Sequence, residues 1–429
     1  MELFLEAKAA KLTEEEIRNA VEKSLEGRWL HRVLILPPDY TRYHSGAGRL
    51  TVLYDEILRS KGCSVDIMPA LGTHEKMSRE QFETMYPGIA YERMLVHDWR
   101  KDTVELGRIP EEAVSQMTNG VWKESLAVQV NRRLLEPSYD LILSIGQVVP
   151  HEVVGMANYT KNIFVGAGGN EMIHKSHMIG AVCGLESIMG KDHTPVRKLY
   201  DYALSEFLHR PILFVLTVTD TKTVQDQKTG ICGLFISESR HGFERAVRLS
   251  RQKNICFTKR AIRKCVVYLD PEEFRSTWLG NKAIYRTRMA IAEGGELLIL
   301  APGIERFGED PVCDALIRKY GYCGREKILA EYEKESNLRK NMGVAAHLIH
   351  GSSEGKFRIT YAVTQKRKEE IKSVGYEAED YEKMSQKYNP EKLLEGWNVM
   401  EDGEEIYYIS NPARGLWIDK NREKKGAAL

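Results

Sequence analysis

Apolar positions recur along this chain in two alternating rhythms, one of helices and one of buried strands. Ile17, Val21 and Leu25 step at helical spacing behind Thr13-Glu14-Glu15-Glu16, a capping-box start. The unbroken run Val33-Leu34-Ile35-Leu36 then reads as a buried strand. Leu50, Leu53, Ile57 and Leu58 share one face of a helix over 49–61, and a second strand follows at 65–69. Ser78-Arg79-Glu80-Gln81 opens another helix. Further strands are expected at 93–97, 140–146 and 212–219, and helices at 110–117, 123–134, 171–190 and 194–208. Strands alternating with helices form βαβ units and a mainly parallel sheet. After about residue 258 the pattern restarts, with a strand at 265–269, a helix at 280–293 and a strand at 297–300. Helices at 311–319 and 325–333 and a strand at 357–363 complete the restart. The pattern predicts an α/β protein of two α/β domains, 1–258 and a smaller 259–429, with mainly parallel sheets and the active site in the cleft between them. The basic stretch Lys259 to Lys264 reads as a hinge or as the solvated face of a helix, and 424–429 as a frayed tail.

Composition narrows the class. Hydrophobic content of 42% and charged content of 29% are those of a globular protein in water. A net charge of +1 gives no electrostatic case for nucleic acid or an anionic membrane. No apolar run approaches a membrane span, and the first residues lack the basic and apolar regions of a signal peptide. Seven irregularly spaced cysteines with no CxxC pair argue against a disulfide framework or zinc knuckle. A reducing cytoplasm is the expected compartment, and a small molecule the expected partner, with a homo-oligomer left open.

Ionisable residues follow several of the strand-like runs. Asp39-Tyr40-Thr41-Arg42 comes after 33–36, Gly72-Thr73-His74 after 65–69, and Val148-Val149-Pro150-His151 after 140–146. Lys161 stands ten residues beyond His151, and His177 sixteen beyond that. In an open α/β sheet ligands bind outside the carboxyl ends of the strands, so these groups point to one shared site. Each has a plainer reading. Asp39 suits an ordinary turn, His74 a structural histidine, and Gly166-Ala167-Gly168-Gly169 a tight turn as readily as a phosphate cradle. His151-Glu152-Val153-Val154-Gly155 lacks the second histidine of HExxH. The i,i+3 pairs His174/His177 and His347/His350 are weak metal signals.

Taken together, the motifs resemble those of the nickel-dependent lactate racemase family of 2-hydroxyacid racemases and epimerases. The resemblance rests on Asp39-x-x-Arg42, Gly72-Thr73-His74, Pro150-His151 with Lys161, and Ser176-His177-Met178. Lys282, twelve residues before Gly294-Gly295, matches the family's substrate lysine. The resemblance implies a nickel-pincer nucleotide, a pyridinium mononucleotide whose ring carbon and two sulfurs bind nickel. It would be tethered covalently to Lys161, with His177 as the protein's nickel ligand. Where lactate racemases carry a serine-glycine-glycine stretch, this chain has Ala157-Asn158-Tyr159-Thr160, and Trp278-Leu279 replaces Tyr-Gln. The segment Val153–Tyr159 looks like the branch linked to sugar acids such as mannonate and gluconate.

Inversion at C2 of a 2-hydroxy acid requires the C2 hydrogen to leave and return to the opposite face. Loss of a proton beside a carboxylate gives a high-energy dianion. Loss of a hydride, with the hydroxyl proton, gives a stable 2-keto acid. The second route needs a hydride acceptor and a base for each isomer, and the resemblance assigns the bases to His74 and His151. Arg42 and Lys282 would hold the substrate carboxylate, Asp39 would orient His74 or Arg42, and Trp278 would contact the substrate. Two other readings remain at this stage: a zinc-dependent lyase or hydrolase with His74, His151 and His177 as ligands, and a non-catalytic sensor of sugar acids.

Overall fold

The computed structural model describes residues 1–220 and 230–422. The tail expected at 424–429 lies outside the described residues. The chain divides into two compact units, one of Met1–Cys183 with Ser187–Asn254, the other of Gly184–Glu186 with Ile255–Leu429.

The first unit holds strands β1 (Glu2–Glu6), β2 (Arg32–Leu36), β3 (Ser64–Ile67), β4 (Thr103–Ile109), β5 (Leu126–Asn131), β6 (Leu141–Gln147), β7 (Pro150–His151), β8 (Gly155–Met156), β9 (Ile212–Thr219) and β10 (Ile231–Ser237). Six of them form one sheet in the order β1-β10-β9-β6-β2-β3. The β3, β2, β6 and β9 pairings are parallel, and β10 and β1 add an antiparallel edge. Every residue of β9 and β10 is buried, so these strands read as continuous apolar runs. The core on one side gathers Ile17, Val21, Leu50, Tyr54, Ile57 and Phe82 against Val33, Ile35, Leu143 and Val215. Burying each such side chain contributes about 1.5–3 kcal/mol. Thr13 and Ser78 both form capping boxes at the starts of their helices.

The second unit holds β11 (Ile255–Thr258), β12 (Ile262–Tyr268), β13 (Ile291–Leu300), β14 (Phe357–Val363), β15 (Glu377–Asp380), β16 (Gly396–Val399), β17 (Glu405–Ile409) and β18 (Leu416–Asp419). Its main sheet runs β15-β14-β13-β12-β17-β16, parallel except for the last pair.

Four expectations fail. Residues 123–134 are not a helix: β5 lies there, paired antiparallel with β4. The alternation within Leu126-Ala127-Val128-Gln129-Val130 suits a strand once a partner is present. The strand expected at 93–97 reduces to one bridge between Met94 and Ile67, because a short 3-10 turn occupies Tyr91–Arg93. The helix expected over 280–293 is two short helices, Thr277–Gly280 and Lys282–Thr287, followed by β13. Lys259 to Lys264 is no helix face; it turns and enters β12.

Candidate functional site

In the first unit the chain leaves β2 for β3 on one side, while β6 takes the other side of β2 and leads outward to β9. This reversal is a topological switch point, where crevices open beyond the carboxyl ends of adjacent strands. Asp39 and Arg42 follow β2, and His151 follows β6. His74 follows β3. The segment carrying Lys161 is fastened across the same place. Asn162 donates its amide to the Leu36 carbonyl (3.1 Å) and to Ser144 Oγ (3.0 Å), joining the end of β2 to the middle of β6. The Gly72 N–H donates to the Gly166 carbonyl at 2.9 Å, tying the His74 turn to the same segment.

After Lys161 the backbone makes a π-helical turn, Asn162–Gly166. The glycines behind it answer to close packing. A Cβ on Gly168 would stand 1.9 Å from the Phe164 carbonyl oxygen, which accounts for that glycine without a phosphate. His97, buried, donates from Nε2 to the Gly168 carbonyl (3.1 Å) and accepts from Asn131 at Nδ1 (2.9 Å), pinning the turn.

The two histidines of the site differ. His74 is exposed, and its Nδ1 lies 2.5 Å from Asp39 Oδ2. A carboxylate can only accept, so the hydrogen is on Nδ1 and the Nε2 lone pair is left as a base. Asp39 is buried and also accepts from the Thr41 N–H (3.1 Å) and hydroxyl (2.5 Å). Burial pushes its carboxyl up, but the bonds from His74 and Thr41 prevail and hold it below the ordinary range. His151 is only 8% exposed, and its Nδ1 accepts the Val153 N–H at 3.1 Å. The neutral ring therefore carries its hydrogen on Nε2. Burial drives its pKa well down; Lys161, Arg42 and His177 push the same way, against the Glu152 carboxylate 3.9 Å away.

Lys161 is pushed down to about 8, by burial first and then by the Arg42 guanidinium, with Glu152 opposing. His177 is pushed down to about 4 by burial, although its Nδ1 donates to the Ile173 carbonyl at 2.6 Å. That bond leaves Nε2 of a neutral imidazole as the open ligand atom. Asp39, Arg42, His74, His151, Lys161 and His177 all stand in the first unit, linked by these bonds and mutual fields. Trp278 and Lys282 belong to the second. There Trp278 stacks on His347 with ring centres 4.1 Å apart, and the Lys282 ammonium lies 5.6 Å from the Phe274 ring centre.

The described residues contain one group of three metal-type ligand atoms within 4.8 Å, Asp192, His193 and Glu244. Arg240 already reaches all three, at 2.6, 3.2 and 3.3 Å. His74, His151 and His177 do not form such a group, which removes the basis of a three-histidine zinc site. No helix among the described residues is long and apolar enough to cross a membrane.

The sequence alone assigns no role to Glu152, His97 or Arg197. Arg197 had a signal: it interrupts the apolar face Val196, Leu199, Tyr200 of the helix Pro195–Phe207, and it is fully buried.

Residues 5–187 match the lactate racemase N-terminal domain. A crystal structure of a protein from Thermotoga maritima is 25% identical with a TM-score of 0.77, covering 97% of this chain and 100% of that one. The lactate racemase apoprotein from Thermoanaerobacterium thermosaccharolyticum shares the fold at 16% identity and a TM-score of 0.70, covering 95% of this chain and 93% of that one. No curated protein matches the chain.

Proposed function

We propose that this protein is an isomerase that inverts C2 of a 2-hydroxy acid by reversible hydride transfer. The observation that carries the reading is the convergence of two differently set imidazoles, a depressed lysine amine and a neutral ligand histidine at one switch point. The donor set suits a nickel-pincer nucleotide. Lys161, with an amine partly neutral at physiological pH, is chemically fit for a covalent tether, and His177 offers Nε2 to a metal that accepts imidazole. When bound, such a group supplies a carbon that reversibly accepts the C2 hydride.

The protein's own residues do the rest. Arg42 binds the substrate carboxylate through its planar guanidinium. His74, fixed by Asp39, takes the hydroxyl proton of one isomer at Nε2. His151 faces the same oxygen in the other isomer. Glu152 offsets the positive charge of Lys161 and Arg42. Lys282 and Trp278 enter the reading on chemistry alone, as a cation for a carboxylate and a flat face for a polyol. The substrate class we assign is an aldonate of the gluconate or mannonate type, on the likeness of Val153–Tyr159 to that branch. A cytoplasmic location accords with the reduced cysteines.

The test is NMR at C2. Cofactor-loaded protein is incubated with aldonates and short 2-hydroxy acids in deuterated water. Inversion with little deuterium at C2 is expected, because a hydride returned internally does not exchange. Rapid uptake of deuterium would replace hydride transfer with proton abstraction, and no inversion of any tested acid would end the reading.

A further inference from the structure

Between β8 and Lys161 the backbone does something side chains resist. Asn158 and Tyr159 both take left-handed conformations, with φ of 65° and 57°. Neither is glycine, and both are buried. Such residues cost of order 1–3 kcal/mol each and persist only where the surroundings over-determine them. An aromatic residue there is rarer than an asparagine.

What over-determines this turn is one side chain. Arg197, with no exposed surface, donates Nη2 to the Met156 carbonyl at 2.6 Å. Its Nη1 donates to the Asn158 carbonyl at 3.1 Å and to Thr160 Oγ1 at 2.6 Å. Thr160 passes its own hydrogen to Asp201 at 2.7 Å. The guanidinium carbon lies 4.4 Å from the Phe243 ring centre, and Tyr159 stacks on that same ring at 5.0 Å and 14°. Burying a guanidinium carries a penalty of several kcal/mol, which helix packing alone would not require. All three of these bonds go to one five-residue segment, 156–160, and that segment leads directly into Lys161. The Lys161 N–H in turn donates to the Asn158 carbonyl, the same oxygen Arg197 holds.

We propose that Arg197 is a positioning residue for Lys161: it locks the left-handed Asn158–Tyr159 turn and so fixes where the lysine amine stands. This rests on the reading of Lys161 as the reactive amine of the site. Arg197 supplies here, through its fork of donors, the backbone conformation that consecutive glycines adopt without help. It is not a catalytic residue, since it contacts the turn rather than the reacting groups.

The experiment is trace acetylation of the full-length protein at pH 7.5, read residue by residue from peptide masses, with circular dichroism confirming the fold. In the wild type, Lys161 should acetylate faster than the surface lysines. Arg197→Met should bring it down at least about tenfold, to the surface-lysine rate, because a displaced amine regains ordinary lysine protonation. Arg197→Lys should do nearly the same, since it keeps the charge and loses the fork. Adding Asn158→Gly to either variant should restore part of the reactivity, which a general loss of stability would not predict. Should Arg197→Met fail to fold, Arg197→Lys with and without Asn158→Gly carries the test. Folded variants with wild-type Lys161 reactivity would overturn the proposal. So would Arg197→Lys behaving as wild type while Arg197→Met does not, since charge alone would then be at work. A wild type that inverts its substrate but whose Lys161 ignores Arg197 would sink this inference and leave the proposed function standing. A wild type that inverts nothing while Lys161 follows Arg197 would do the reverse.

Discussion

The turn after β3 and the turn after β6 each present a histidine at the same end of one sheet, and they prepare it in opposite ways. His74 is exposed, and a buried carboxylate takes its Nδ1 hydrogen. His151 is enclosed, and a backbone N–H occupies its Nδ1. The first ring is left with a lone pair on Nε2, the second with a hydrogen there. At His74 a fixed carboxylate stands against the ring. The interior and the cations Lys161 and Arg42 oppose an imidazolium at His151. Two residues of one type at one site can therefore do different work, because each takes its proton inventory from its neighbours.

The largest effect should come from the enclosed side. Lys161→Ala should abolish any covalent adduct and with it all inversion at C2. Intact-mass spectra of protein made alongside a nickel-pincer pathway would check this, and an adduct surviving the substitution would move the tether elsewhere.

Next come the histidines. His74→Ala and His151→Ala should each lower turnover by at least about 100-fold, the usual worth of a group that handles a proton in the transition state. The comparison sharpens with glutamine, which keeps an N–H donor but cannot serve as a base. His151→Gln should lose less activity than His74→Gln. Equal losses would mean that the rings work as equivalents, and the tautomers read from the hydrogen bonds would not persist in turnover. Asp39→Asn should cost roughly tenfold to a hundredfold, as a charge-assisted bond becomes a neutral one. Its effect should vanish in a His74→Gln background, where the carboxylate has no imidazole to orient.

How far the site was legible depended on what each signal needed. Apolar runs with their own partners, such as 212–219 and 357–363, come out at the strands observed. The ionisable residues past the runs at 33–36, 65–69 and 140–146 were legible as well, because strand ends in a parallel sheet converge by topology alone. Two kinds of feature were not. The 123–134 segment has a mixed pattern that becomes a strand only through pairing with β4, which no local rhythm reports. The roles of Glu152 and Arg197 depend on contacts across some forty residues or on fields between turns, and neither leaves a spacing. Even so, Arg197 on an apolar helix face was an anomaly that burial turns into a meaning.

A pH experiment isolates the enclosed amine. The folded pKa of Lys161 is about 8, against an ordinary 10.5 in the unfolded chain. Between pH 8 and 10.5 the unfolded chain holds a proton that the folded one has released, so this residue makes stability rise with pH across that window. Below the window both states are charged, and the burial penalty is fully felt. Urea midpoints of wild type and Lys161→Met should therefore differ most at neutral pH, with the methionine variant the more stable, and converge toward pH 10.5. A constant difference would mean the amine is ordinary.

The smallest effect expected is also the most local. A Cβ on Gly146 would stand 1.9 Å from Asn158 Nδ2, so Gly146→Ala must push that side chain aside. Overpacking of this kind costs about 1–3 kcal/mol. The asparagine also caps its own turn, with Oδ1 accepting the Tyr159 N–H at 2.7 Å, so moving it loosens the segment that leads to Lys161. Thermal unfolding of Gly146→Ala should show the loss, and Asn158→Gly in the same chain should recover most of it by removing the clash while keeping a residue at ease with positive φ. The His74 turn, which bonds to this segment at Gly166 rather than at Asn158, gives the control: the Asp39–His74 pair should keep its imidazole NMR signature in Gly146→Ala. A changed signature would mean that the two turns are mechanically one, and that their contrast in protonation is set jointly rather than by each turn's own neighbours.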